Sequence, residues 1–353
     1  MTKKTARTII AATAIWLLLG AAGNAFAQQK PVLPPPPTTE QKPIPQQAPT
    51  LHVNVRLVHL VAAVMDRRNK FVTDLGQGDF KIFEDGKEQH ITQFSRQADL
   101  PLRIGMLLDT SNSIRERLHF EKDAAIDFLY SVIRRHQDQA FLMTFDNEPE
   151  VIQDYTDDVG QLSSVIQKQN SGGGTALNDA IYVASQKLMT APPAPGPNPD
   201  IRRVLVLISD GDDNLSDHAL SDAIQMADRA GVSVYAISTN NDWVTTDTAT
   251  PEKLHLSEGE RVLKEYSDET GGRVFFPYRI DDLAQSFLDI GNELRSQYLL
   301  GYALPNPDAN GEFHRVDLRV DRKGLIVRSR KGYYATAPVT TPAEPASTGA
   351  PPR

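Results

Sequence analysis

The chain has 353 residues, of which 40% are hydrophobic and 23% charged, with 45 Asp and Glu against 37 Lys and Arg. That is enough chain for one large core or two ordinary ones, and a formal net charge of −8 speaks against nucleic acid as a partner. Cysteine is absent, which excludes thiol catalysis, cysteine-ligated zinc and any dependence on disulfides.

Residues 1–27 read as a secretory signal peptide. Lys3, Lys4 and Arg7 precede an apolar run over 9–22, and Ala25-Phe26-Ala27 forms a small-residue cleavage site. An uncleaved anchor is the alternative, although the run is short for a membrane-spanning helix. Cleavage would take the net charge to −11 by removing Lys3, Lys4 and Arg7. No later stretch is long and apolar enough to span a membrane, so the expectation is an exported protein, periplasmic, cell-surface or secreted. Residues 28–50, with Pro34-Pro35-Pro36-Pro37, are too rich in Pro and Gln to form a core and read as a semi-rigid spacer. Residues 336–353 have a similar composition and read as a disordered tail.

Over 51–98 the pattern is that of short antiparallel strands. Val53, Val55 and Leu57 alternate, Val61 to Met65 follows, and Asp85-Gly86 separates Lys81-Ile82-Phe83 from Gln89-His90-Ile91 as a hairpin turn. Four short strands are too few to bury a core alone. Residues 298–335 alternate in the same way, with Asn310-Gly311 and Lys323-Gly324 as turns. The two flanks are therefore expected to form one small β-sandwich, with residues 100–297 inserted between them.

The insert alternates strands and helices. Strands are expected over Leu102 to Leu108, Ala140 to Phe145, Val204 to Ile208, Val232 to Ile237 and Arg273 to Phe275. Helices are expected over Ile114 to Arg134, Leu162 to Gln169, Ala176 to Met189, Ala219 to Arg229, Glu260 to Glu269 and Leu283 to Arg295. This is the signature of an α/β, doubly wound, mostly parallel sheet covered on both faces.

The first of these strands stops on Asp109-Thr110-Ser111-Asn112-Ser113, one carboxylate followed by two hydroxyls spaced two apart. Alone, that is a turn with a helix cap. Ligands of such sheets gather at the carboxyl ends of strands, and two other loops fall there. One is Ser171-Gly172-Gly173-Gly174-Thr175, where glycines permit close approach, and the other is Ser209-Asp210-Gly211-Asp212-Asp213. Carboxylate and hydroxyl oxygens without nitrogen or sulfur suit a hard divalent cation, Mg²⁺ first, with Mn²⁺ or Ca²⁺ as alternatives.

The set Asp109, Ser111, Ser113, Thr175 and Asp210 resembles the metal-ion-dependent adhesion site of the von Willebrand factor A domain, and the resemblance spans about 200 residues. It implies that Ser111 and Ser113 bind metal directly and that Thr175, Asp109 and Asp210 do so directly or through water. It also implies that a partner Glu or Asp fills the open position, and that movement of the last helix is coupled to the metal site. The expected partner is accordingly a protein ligand offering an acidic side chain.

Asp212, Asp213 and Asn214 read as capping and turn residues in preference to a second cation site, and Asp146 and Glu148 as rim charges. Trp243 reads as a partner contact or as packing under its loop. The eight histidines show no metal-binding spacing, and neither a nucleophile elbow nor a phosphate-binding loop occurs. The expectation is a binding or adhesion module and not an enzyme. An envelope enzyme, or a structural domain with a vestigial site, are the alternatives.

Overall fold

The computed structural model describes residues 55–96, 100–195, 201–240, 256–277, 280–305 and 311–335. The expectations for the signal peptide, the spacer, the tail and Trp243 fall outside these residues. In chain order the elements are β1 (Val55–Asp66), β2 (Phe80–Glu84), β3 (Lys87–Gln89), β4 (Ile91–Ser95), β5 (Leu102–Asp109), α1 (Leu118–Val132), β6 (Gln139–Phe145) and β7 (Pro149–Thr156). There follow α2 (Val159–Gln167), α3 (Leu177–Met189), β8 (Arg202–Ser209), α4 (Leu220–Ala230), β9 (Val232–Ser238), α5 (Glu258–Thr270), β10 (Arg273–Phe275) and α6 (Ile280–Arg295). The last strands are β11 (Tyr298–Pro305), β12 (Phe313–Val320), β13 (Leu325–Arg328) and β14 (Gly332–Tyr334). Among the described residues no helix is long and apolar enough to cross a membrane.

The two flanks of the chain build the sandwich together. One antiparallel sheet has the order β13-β1-β11-β4 and the other β14-β12-β2-β3, so each mixes strands from before and after the insert. Their inner faces share one apolar core that includes Leu60, Val64, Ile82, Leu300, Tyr302 and Leu318. The β2–β3 hairpin turns on Asp85 and Gly86, both at positive φ (47° and 80°), the primed geometry that matches strand twist. The segments around Leu57 and around Val61 to Met65 belong to one twelve-residue strand. Residues 62–65 are buried on both faces, which removes the alternation that would have marked continuity.

The insert forms a six-stranded sheet of order β10-β9-β8-β5-β6-β7. All neighbours are parallel except β7, which runs antiparallel on β6. The edge strand β7 is absent from the sequence reading, because its residues are half-exposed without regular alternation and its register on β6 shifts twice. Helix α1 begins at Leu118 and not at Ile114, since Asn112–Ile114 form a separate 3-10 turn. Helix α5 begins two residues earlier than expected: Ser257 Oγ accepts from the Glu260 amide while the Glu260 carboxylate accepts from the Ser257 amide.

Every residue of β5 is buried, with Ile104, Met106 and Leu108 facing α1 and α6 and Leu107 facing α3 and α4. The helix that follows β5, α1, thus lies on one face, while the helix that follows its neighbour β8, α4, lies on the other. Chain paths diverging from two adjacent parallel strands leave a crevice at their carboxyl ends. Asp109 is the last residue of β5 and Asp210 the first after β8.

Candidate metal centre

Three loops meet at that crevice and are tied together by hydrogen bonds. From the β5 loop, the Asn112 amide and its side-chain Nδ2 both donate to Gly173 O, at 3.3 and 2.9 Å, and Thr110 O accepts from the Gly172 amide at 2.7 Å. From the β8 loop, Asn214 Oδ1 accepts from the Thr175 amide at 2.9 Å while the Asn214 and Leu215 amides donate to Thr175 O. The Asp109 carboxylate closes the ring: its Oδ1 accepts from the Ser111 amide at 2.9 Å and its Oδ2 from Ser209 Oγ at 2.7 Å. The three loops that carry the five residues singled out in the sequence thereby meet.

Asp109, Ser111 and Thr175 are buried, Asp210 is half-buried and Ser113 is exposed, so the site opens to solvent on the Ser113 side. The hydroxyls of Ser111 and Ser113 lie 2.9 Å apart. Asp210 Oδ1 accepts from the Asp212 amide at 3.2 Å, and among the described residues its other oxygen has no hydrogen-bond partner. The Thr175 hydroxyl likewise has none. Burial pushes the Asp109 carboxyl up to about 6, opposed by its serine hydrogen bonds and reinforced by the charge of Asp210. Two carboxylates that repel each other, one of them with an unengaged oxygen, are what a cation would relieve.

The glycines of the Thr175 loop act unequally. Gly173 sits at φ +78° and a Cβ there would come within 2.9 Å of the Asn147 side chain, whereas a Cβ at Gly172 would meet nothing. Gly174 permits close approach, since its Cβ would lie 2.5 Å from Leu215 Cδ1.

Asp213 serves as a cap: Oδ2 accepts from the Asn178 amide at the start of α3 and Oδ1 from the Ser216 amide. Asn214 is the clamp on Thr175 described above, and Asp212 is raised by burial and by Asp210. Asp146 contributes its backbone, accepting from the Ala176 amide.

Two buried polar residues are given no role in the sequence reading. The sequence reading opens the Asp210 loop on Ser209, whereas β8 runs through it, and only the pairing of β8 with β5 points its hydroxyl at Asp109. Glu121 lies in the first turn of α1 and is 1% exposed. Its signal was present, because it stands three residues after Leu118 and four before Ala125, on the apolar stripe of that helix. A separate group, Glu84, Asp85 and His314, lies in the sandwich. There Glu84 accepts from the hydroxyls of Tyr302 and Tyr333, and His314 contacts Asp85 at 2.8 Å.

Residues 104–269 match the family model described as von Willebrand factor type A domain. No curated protein matches the chain. Solved structures that resemble it include a von Willebrand factor type A protein from Catenulispora acidiphila, 12% identical over 78% of this chain and 72% of that one, with a TM-score of 0.45. Another is the conserved hypothetical protein BatB from Bacteroides thetaiotaomicron, 16% identical over 55% of this chain and 100% of that one, with a TM-score of 0.41. A third is proximal thread matrix protein 1 from the mussel byssus, with a zinc-occupied metal-ion-dependent adhesion site. It is 17% identical over 58% of this chain and 48% of that one, with a TM-score of 0.43.

Proposed function

Since this chain belongs to the von Willebrand factor type A domain proteins through residues 104–269, domains that generally mediate metal-dependent protein interaction, we propose that it is an exported binding module. In this reading it captures an acidic side chain of a protein ligand through a divalent cation, Mg²⁺ first and Mn²⁺ or Ca²⁺ as alternatives. The observation that carries the reading is the convergence of three hydrogen-bonded loops on a set of oxygen donors with no nitrogen or sulfur among them. The residues present fit a hard cation.

Asp109, Ser111, Ser113, Thr175 and Asp210 would hold the ion, and the ion supplies the positive charge that attracts an acidic partner. The remaining work belongs to the chain. Ser209 and the Ser111 amide orient Asp109, Asn214 fixes the Thr175 backbone so that its hydroxyl is free, and Asp210 keeps one oxygen unengaged. Two carboxylates neutralise the ion without over-neutralising it, which favours capture of a third carboxylate from outside. Binding, not catalysis, is the proposed activity, since no nucleophile with an adjacent base is part of the arrangement described. Export rests on the signal-peptide pattern of residues 1–27.

The test has two stages. Calorimetric titration of the wild type with Mg²⁺ and Mn²⁺ should show one site that Asp109→Ala abolishes. Proteins retained from native envelope or culture fluid by the wild type should then be released by chelator and not retained by Asp109→Ala. Equal retention of the same protein by Asp109→Ala in chelator would defeat the proposal.

A further inference from the structure

Glu121 is a buried carboxylate without a hydrogen bond. It is 1% exposed, and neither Oε1 nor Oε2 has a hydrogen-bond partner. An unpaired buried carboxylate is costly, and native chains keep one only where it has a task or a missing partner. Its place in the fold suggests the partner. Helix α1 starts at Leu118, after the 3-10 turn that closes the Asp109-to-Ser113 loop, and Glu121 lies in its first turn on the side that packs against the sheet. Burial pushes its carboxyl up to about 8, and the charges of Asp109 and Asp210, at the ends of two different strands, push in the same direction against the charge of Arg117. Those two residues belong to the proposed cation site, so Glu121 is buried within reach of their charges.

A second side chain agrees. Arg117, one turn earlier, carries a buried Nη2 without a hydrogen-bond partner, and its charge acts on both Glu121 and Asp210.

We propose that Glu121 is a further residue of the cation site, reaching the ion directly or through one of its waters and adding a third carboxylate to those of Asp109 and Asp210. The proposal rests on the cation-binding reading above. Three carboxylates alone would over-neutralise a divalent ion and repel an acidic partner. Arg117 restores the balance, because its guanidinium and the two charges of the ion together match the three carboxylates. The open position then stays available to an acidic ligand while the ion is held more firmly.

The experiment compares wild type, Glu121→Gln and Glu121→Met by calorimetric titration with Mg²⁺ and Mn²⁺, and by urea unfolding in chelator. Both variants are expected to lose about 10- to 100-fold in cation affinity, the usual effect of removing a group that supports a metal site. In chelator Glu121→Met is expected to raise the urea midpoint, since an apolar side chain of similar length replaces a carboxylate without a partner. A merely structural glutamate would give the opposite pair of results, unchanged cation affinity and a lower midpoint, and either of these overturns the proposal. Failure of both variants to fold in chelator overturns it as well. A wild type that binds neither cation defeats the cation reading itself, whereas wild-type binding matched by Glu121→Gln defeats only the role of Glu121.

Discussion

Ser209 Oγ donates a 2.7 Å hydrogen bond to Asp109 Oδ2, joining the carboxyl ends of β8 and β5 across the crevice. The same oxygen accepts from the Gly211 amide at 3.0 Å. One hydroxyl thus positions both the carboxylate of the first loop and the start of the Asp210 loop. Ser209→Ala leaves a buried acceptor and a buried donor unpaired, which should lower stability by about 1–3 kcal/mol and weaken Mg²⁺ binding in parallel. Urea unfolding and calorimetric titration measure the two effects, and wild-type values in both would show that Ser209 does not orient the site.

Thr175 separates the clamp from the ligand. Its backbone is held by Asn214 and Leu215, while its hydroxyl takes part in no hydrogen bond among the described residues. Thr175→Val keeps the shape and the backbone bonds and removes only the oxygen. The expected outcome is a urea midpoint near that of wild type in chelator, with Mg²⁺ affinity down about tenfold, or ~1.4 kcal/mol. Undiminished affinity would place the Thr175 hydroxyl outside the coordination sphere.

Buried carboxylates, two of them assigned to the proposed cation site, set a pH dependence. Burial raises the Asp109 carboxyl to about 6, Asp228 to about 7 and Glu121 to about 8. The unfolded chain releases these protons near pH 4, while the folded chain keeps them several units longer. The folded state therefore binds more protons across this interval, and stability falls as pH rises from about 4 to about 8. Carboxylates lowered in the fold, such as Asp138 and Asp179, are already ionised above pH 4 and do not offset this loss. Melting temperature in chelator should decline over that range, and the increment from added Mg²⁺ should grow, because the cation binds the ionised form of the site. Asp228 lies away from the site, so Asp228→Asn should flatten the decline equally with and without Mg²⁺. A melting temperature in chelator that stays level or rises from pH 5 to 8 would refute this.

The insert is anchored to the sandwich through a buried charge. Glu293, near the end of α6 and 0% exposed, accepts from Arg328 on β13 and from Tyr235 Oη at 3.0 Å. Removing one member of a buried pair strands the other, and Arg328→Ala should cost about 3–5 kcal/mol by denaturant unfolding. Combining it with Glu293→Gln should recover part of that loss. A double variant as unstable as the sum of both single changes would show that the two residues are energetically independent.

Much of the fold was legible because burial left a periodic record. Strand β5 reads as apolar because both faces are covered, and α3, α4 and α6 show the helical stripe. The edge strand β7 left no such record, since its residues are half-exposed and its pairing irregular. The start of α5 was readable only through the reciprocal bonds of Ser257 and Glu260. Arg103 is a charged residue within the apolar run of β5, yet it is 2% exposed and donates to the carbonyls of Pro192, Pro193 and Gln137.

By itself the sequence determined the donor chemistry: Asp109, Ser111, Ser113, Thr175 and Asp210 carry their oxygens wherever the chain places them, and strand and helix periods put them at strand ends. The tertiary structure alone decided which side chains share the crevice. Parallel pairing of β5 with β8 turns Ser209 toward Asp109, and the packing of α1 on the sheet buries Glu121 without a hydrogen-bond partner. Both depend on contacts between residues distant along the chain, and such contacts leave no local period to read.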